Sequence, residues 1–158
     1  MDKKLSSLVY DQIALEQYSS ALYLSMAAYA DDNGLFALSC DLLKHASEEQ
    51  EHARKWISFL FARGAGLALR SVDAPPASDS WNPVGLCKAA VAHEERVTAS
   101  ILAIRNAAMT AGDTHLEEKC REFLREQTEE EDVAQDRLSL ATMAPDPGTF
   151  DLLVAKKG

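Results

Sequence analysis

Between Lys44 and Ala53 the chain reads KHASEEQEHA, two histidines and three glutamates in ten residues. Glu49 and His52 stand three positions apart, so on a helix both project from one face, a turn from each other. A carboxylate and an imidazole in that relation can share a metal ion. Hard oxygen with one nitrogen suits iron or manganese better than a closed structural zinc site, which favours cysteine and histidine. On an exposed face the same stretch would be an ordinary solvated charge run. The burial of the face decides between the two.

Glycine and proline fall almost entirely at five places, and the segments between them carry a helical period. Helices are expected at roughly 6–30, 35–63, 82–110, 113–143 and 148–155, with no strand-like alternation anywhere. Asn82-Pro83 reads as an N-cap followed by proline at the first helical position. The expected fold is all-α: a single-domain four-helix bundle with a long crossover between helices two and three and a short fifth C-terminal helix. The turns at Asn33 and Gly112 are short enough to force antiparallel neighbours. The link from Gly64 to Trp81 is too long for a hairpin. Its 18 residues, fully extended, reach roughly 55–60 Å, enough to run the length of a helix of about 40 Å.

The chain also repeats itself. Glu16 precedes Glu49 by 33 positions, and Glu94 precedes Gln127 by the same number. At an offset of 78, Leu38 maps to Leu116, Glu48 to Glu126 and His52 to Glu130, as in two related helical hairpins.

Each expected helix has an apolar stripe that turns polar in the middle. The stripes run Leu5, Val9, Gln12, Glu16, Ser20, Tyr23, Ala27; then Leu38, Leu42, His45, Glu49, His52, Trp56, Phe59; then Cys87, Ala90, Val91, Glu94, Val97, Ile101, Ile104; then Leu116, Cys120, Phe123, Gln127, Glu130, Ala134, Leu138. A buried carboxylate is strongly unfavourable unless neutralised, paired or bound to metal. Four of them near the midpoints of their helices meet at one height, with no lysine or arginine on the stripes. Two divalent cations would balance four carboxylates. Two-metal carboxylate bundles commonly carry Glu-x-x-His on two helices. Here the second is Gln127-x-x-Glu130, so one metal position has fewer nitrogen ligands and should exchange more readily. A polar layer that only fixes helix register, without metal, is the competing reading.

Net charge is −9 with scattered basic residues, against the clustered basic footprint that nucleic-acid binding needs. The most apolar run, Ala21 to Ala30, is too short for a bilayer, and the N-terminus lacks the apolar core of a signal peptide. Three cysteines, Cys40, Cys87 and Cys120, are odd in number and widely spaced, as expected of reduced thiols in a cytoplasmic protein. Met26, Met109 and Met143 are expected as core filler, and His45, His93 and His115 as solvated or capping histidines.

LEQYSSALY (Leu15–Tyr23), HASEEQEH (His45–His52), AHEE (Ala92–Glu95) and EQTEEE (Glu126–Glu131) together resemble the non-haem bacterial ferritins, in order and spacing, over nearly the whole chain. The resemblance implies a ferroxidase centre that oxidises Fe(II) to Fe(III) with dioxygen or hydrogen peroxide. Glu16, Glu49 and His52 would hold one iron. Glu49 as the bridge, Glu94 and Glu130 would hold the second, with Gln127 close by. Tyr23 would be hydrogen-bonded to the centre or supply an electron. Glu48, Glu126 and Glu129 would form an outer third iron site, and Glu117 and Glu118 would line a channel. The resemblance further implies iron storage as ferric mineral in a shell of twenty-four identical subunits, with Phe150, Leu153 and Val154 of the fifth helix as contacts at the fourfold axis. No nucleic-acid or membrane partner is implied. No haem is expected either. Bacterioferritin would place histidine at Glu130 and a haem-binding methionine at Gln50. A rubrerythrin-type or other non-cage di-iron oxidase or peroxidase remains the alternative with a metal, and a metal-free structural bundle the alternative without one.

Overall fold

The computed structural model describes residues 1–157. It has five α-helices: α1 (Lys3–Asp32), α2 (Phe36–Ala62), α3 (Pro83–Ala111), α4 (Thr114–Met143) and α5 (Pro147–Lys157). A single 3-10 turn, Ser78–Ser80, lies in the long link. Helix α1 begins three residues ahead of the expected start at Ser6 because Asp2 caps it. The Asp2 carboxylate accepts from the amides of Lys4 and Leu5 at 2.7 and 3.3 Å. Asn82 caps α3 in the same way through Gly85, at 2.9 Å, with Pro83 behind it.

The two tight turns are made by glycine in the left-handed region, Gly34 at φ 72° and Gly112 at φ 71°. They pair α1 with α2 and α3 with α4 as antiparallel hairpins. Serines let α1 and α2 approach closely: Ser20 Oγ donates to the Ala46 carbonyl at 2.7 Å, and Ser39 Oγ to that of Ala27 at 3.2 Å. The link then runs the length of α1. Near its start Tyr10 donates to the Gly66 carbonyl, and Arg70 donates to Asp11 and Ser7. Near its end Trp81 donates to Ser25, whose hydroxyl donates to the Pro76 carbonyl. This is the full-length crossover that the link's reach allows.

The apolar core is split in two. One cluster, with Leu22, Met26, Leu38, Leu42 and Leu86, fills the end where α5 packs. The other, with Val9, Ile13, Trp56, Ile101, Leu116 and Phe123, fills the opposite end. Between them lies the polar layer. Met26 is core filler as expected, but Met109 and Met143 are exposed. The three cysteines are free thiols: Cys40 is exposed, whereas Cys87 and Cys120 are buried and burial pushes each up to about 12.

Helix α5 extends two residues beyond its expected end and docks on its own bundle. Phe150 and Val154 are buried in the α5-end cluster with Leu35 and Leu38, while Leu153 is half-buried and Leu152 exposed. Of the three apolar contacts that the resemblance implies, Phe150 and Val154 are thus already buried within their own subunit, and Leu153 is half-buried. Helix α2 has no cap of its own at Leu35. Asp151 of α5 supplies it, accepting from Leu38 N at 2.8 Å and Ala37 N at 3.3 Å. Replacing Asp151 with alanine should cost about 1 kcal/mol, measured by urea unfolding. It should also speed proteolytic trimming of α5. Unchanged values of both would show the cap to be idle.

Candidate metal centre

Glu16 reaches the polar layer from α1, Glu49 and His52 from α2, Glu94 from α3, and Gln127 and Glu130 from α4. Glu16, Glu49, His52, Glu94 and Gln127 are buried and Glu130 is half-buried. Glu16, Glu49 and His52 offer ligand atoms all within 4.8 Å of one another. His52 Nδ1 lies 3.3 Å from Glu49 Oε2, and its other nitrogen, Nε2, lies 3.3 Å from Glu126 Oε2. A second group within the same limit joins His45, Glu48 and Glu130. Glu49 stands at the centre of the cluster. It is close enough to Glu16, Glu94, Glu130 and Glu48 to feel each charge.

Glu94 is held from both sides. Tyr23 donates its hydroxyl to Glu94 Oε1 in a short hydrogen bond. Gln127 Nε2 donates to Glu94 Oε2 at 2.6 Å and to the Glu94 carbonyl at 3.3 Å. Tyr23 therefore touches the centre through Glu94, and its own ionisation is pushed well above the ordinary range, by burial first and Glu94 second. Glu16 Oε1 accepts from Gln12 Nε2 at 2.8 Å and from Trp56 Nε1 at 3.2 Å. Its other oxygen is buried with no partner, as is Nδ1 of His45, which lies 3.3 and 3.4 Å from Glu48 and Glu130 without hydrogen-bonding geometry.

The electrostatics follow from burial. Glu16 is pushed up to about 8 and Glu49 to about 9, by loss of hydration first and by neighbouring carboxylates next. Glu94 is raised for the same reasons, partly offset by Tyr23 and Gln127. Burial would raise Glu130 as well, but His45, His52 and Arg137 together hold it below the ordinary glutamate range. Arg137 is a buried cation, 4 % exposed, that the stripes do not include. It is committed elsewhere, donating from Nε and Nη2 to Asp41 Oδ2 at 3.1 and 2.5 Å. No lysine or arginine is paired with Glu16, Glu49 or Glu94 among the described residues. Orphaned buried oxygen, crowded acids and a single imidazole on the shared carboxylate fit hard divalent cations.

Two histidines differ from expectation. His45 is buried over Tyr23 and is itself one of the second ligand group. His93 is buried against Ser19 Oγ at 2.7 Å, and burial, with Arg96, lowers it to about 4. His45 had a signal in the sequence, since it lies on the α2 stripe. The roles of Gln12 and Trp56 on Glu16 are contacts that the stripes contain but do not announce.

The acids further out are not gathered with Glu48. Glu126 is paired with Lys55, and Glu129 is exposed. Glu117 accepts from Arg121 Nη2 at 2.7 Å and lies 3.5 Å from Arg105 Nη2, and Glu118 is 3.9 Å from Arg125. Arginine therefore faces both acids at the start of α4.

Comparison with known proteins agrees with this geometry. The bacterial non-heme ferritin of Bacteroides fragilis is 29% identical over 95% of the chain and 94% of its own length. That of Campylobacter jejuni is 30% identical over 83% and 78%. Among solved structures, the open pore ferritin of the hyperthermophilic archaeon Archaeoglobus fulgidus superposes with a TM-score of 0.93 at 31% identity, covering 99% of this chain and 95% of that one. An iron-soaked variant of PmFTN superposes at 0.91, with 26% identity and 98% of each chain covered. The Ferritin-like domain family matches residues 7–144, which takes in all four long helices and every residue of the polar layer. With its two hairpins, its full-length crossover and its buried carboxylate layer, the chain belongs to the ferritin family, among the bacterial non-heme ferritins.

Proposed function

We propose that the protein is an iron-storage ferroxidase: it takes up Fe(II), oxidises it at the Glu49-centred layer and deposits ferric mineral inside a shell of twenty-four copies. One observation carries the reading. Four acids converge on one layer with no ammonium or guanidinium paired with Glu16, Glu49 or Glu94, and one oxygen of Glu16 is left without any partner. Two divalent ions remove that conflict, and iron is the cargo of the relatives it resembles.

In this reading Glu16, Glu49 and His52 hold one Fe(II), and Glu49, Glu94 and Glu130 the other. Tyr23 and Gln127 keep Glu94 aimed at the second position. The two ions each give up one electron. Dioxygen taking that pair with two protons leaves as hydrogen peroxide, or hydrogen peroxide taking them leaves as two waters. The protein sets coordination and leaves an open position for the oxidant. Glu48, Glu126 and Glu129 would form an outer iron position only once an ion draws them together, since Glu126 is held by Lys55 and Glu129 is exposed. Glu117 and Glu118, faced by arginines, make a weakly acidic channel at most. No helix of the described residues is long and apolar enough to cross a membrane, and the three free thiols suit a reducing cytoplasm.

Native mass spectrometry after aerobic Fe(II) addition tests the whole. A particle near twenty-four chains that retains iron well beyond three ions per chain is expected. A monomer or dimer that turns over without retaining iron would move the protein to the non-cage oxidases.

A further inference from the structure

Just outside the layer, Lys55 projects from α2 one turn beyond His52. Its ammonium donates to both oxygens of Glu126 on α4, at 2.9 Å to Oε1 and 2.8 Å to Oε2. The same Oε2 lies 3.3 Å from His52 Nε2, the nitrogen that faces away from Glu49. The side chain also lies over the Phe123 ring, 5.8 Å from its centroid. Phe123 is itself fixed, stacked on Trp56 at 4.3 Å and edge-on to His52. Lys55 is thus a resident cation, seated on the outer acid that lies against His52 of the metal layer.

We propose that Lys55 is a positioning residue that occupies the outer cation position and makes it the last to fill. The proposal rests on the ferroxidase reading and on the outer site given above. A metal ion cannot take both oxygens of Glu126 while the ammonium holds them. Iron therefore reaches this position only by displacing Lys55, whose 43 % exposed side chain can swing into water. Until then Glu126 stays against His52 Nε2, the arrangement in which a carboxylate orients a metal-binding imidazole. The pair is half in water, so holding Glu126 is a modest effect. The larger one is the positive charge kept a few ångströms from an incoming dication. Removing it should tighten the outer position about tenfold.

The test is equilibrium binding of Zn(II), which is redox-inert, to the assembled protein, followed by calorimetry and by counting bound metal per chain. Two tight ions and one weak ion are expected for the natural chain. Lys55→Met, which keeps the apolar stem over Phe123, should tighten the third ion about tenfold and leave the first two unchanged. Lys55→Arg should restore the natural behaviour, and Lys55→Met with Glu126→Gln should abolish the gain. A third ion of equal affinity in the natural chain and in Lys55→Met overturns the role of Lys55 while leaving the two-metal centre intact. A natural chain that binds no tight Zn(II) overturns the centre and this inference together. Circular dichroism of each variant establishes that helix content is kept, so that a lost site is not a lost fold.

Discussion

Replacing Glu49 with alanine should lower the initial rate of aerobic Fe(II) oxidation at least about hundredfold. Loss of a residue that merely orients a metal ligand commonly costs 10- to 100-fold, and Glu49 is the carboxylate that all the others surround. Its removal takes an oxygen from both proposed positions at once and leaves His52 Nδ1 without its 3.3 Å neighbour. Glu49→Gln sharpens the experiment, because the amide fills the same space and the bundle keeps its shape. It removes the negative charge that should hold two dications together, so its rate should fall nearly as far. Stopped-flow absorbance of the ferric product reads both variants. Fast oxidation retained in Glu49→Gln would place the chemistry elsewhere in the molecule.

The second large effect is on pH. With Glu16 near 8 and Glu49 near 9, both acids carry protons at pH 7 when no metal is bound. A cation needs the carboxylates, so binding at neutral pH should expel about two protons per centre. Affinity for Zn(II) should then fall about hundredfold per pH unit below pH 8, each proton contributing tenfold. Calorimetry in two buffers of different ionisation enthalpy gives the proton number directly, and heats independent of buffer would refute it.

The same raised values fix the sign of the stability change. Both groups sit above their ordinary value of 4.5 in the folded chain. The stability they contribute is complete below about pH 4.5 and is lost as pH rises through 8 and 9. Over that window each removes about 1.4 kcal/mol per pH unit. The metal-free protein should accordingly unfold at lower urea at pH 8 than at pH 6, and added Zn(II) should reverse the order.

How much of this could be read from the residues depended on what kind of contact was at issue. Helical periodicity carried the fold well, because five glycine or proline breaks leave segments too long and too regular for anything else. It also carried the layer, since a glutamate in an apolar stripe violates burial so strongly that one sequence is enough to expose it. Contacts between stripes were another matter. Gln12 supports Glu16 one turn along α1, and Trp56 does so from α2, yet both read as ordinary stripe residues. Arg137 escaped because the expected stripe runs through Leu138, which is half-buried, whereas the buried face of α4 runs Ala134, Arg137, Ala141. His45 was misjudged as solvated although its stripe position argued for burial. Asp151 capping α2 joins residues more than a hundred positions apart, and no local pattern announces such a pair. Lys55 was invisible for the opposite reason: a lysine beside a glutamate-rich run looks like any solvated surface.

The division of the apolar core into two clusters has a consequence for how the chain holds together. Each end of the bundle has its own grease, and the stretch between them is the one place where packing is traded for buried, protonated acid. The contacts between helices are therefore weakest at the waist, the layer proposed to take up iron. All four long helices run unbroken through both clusters, so a dication there would tie the helices to one another across the layer, and its binding free energy would add to their lateral cohesion. In the proposed reading, loading iron would also tighten the bundle at the one level where apolar packing gives way to acid.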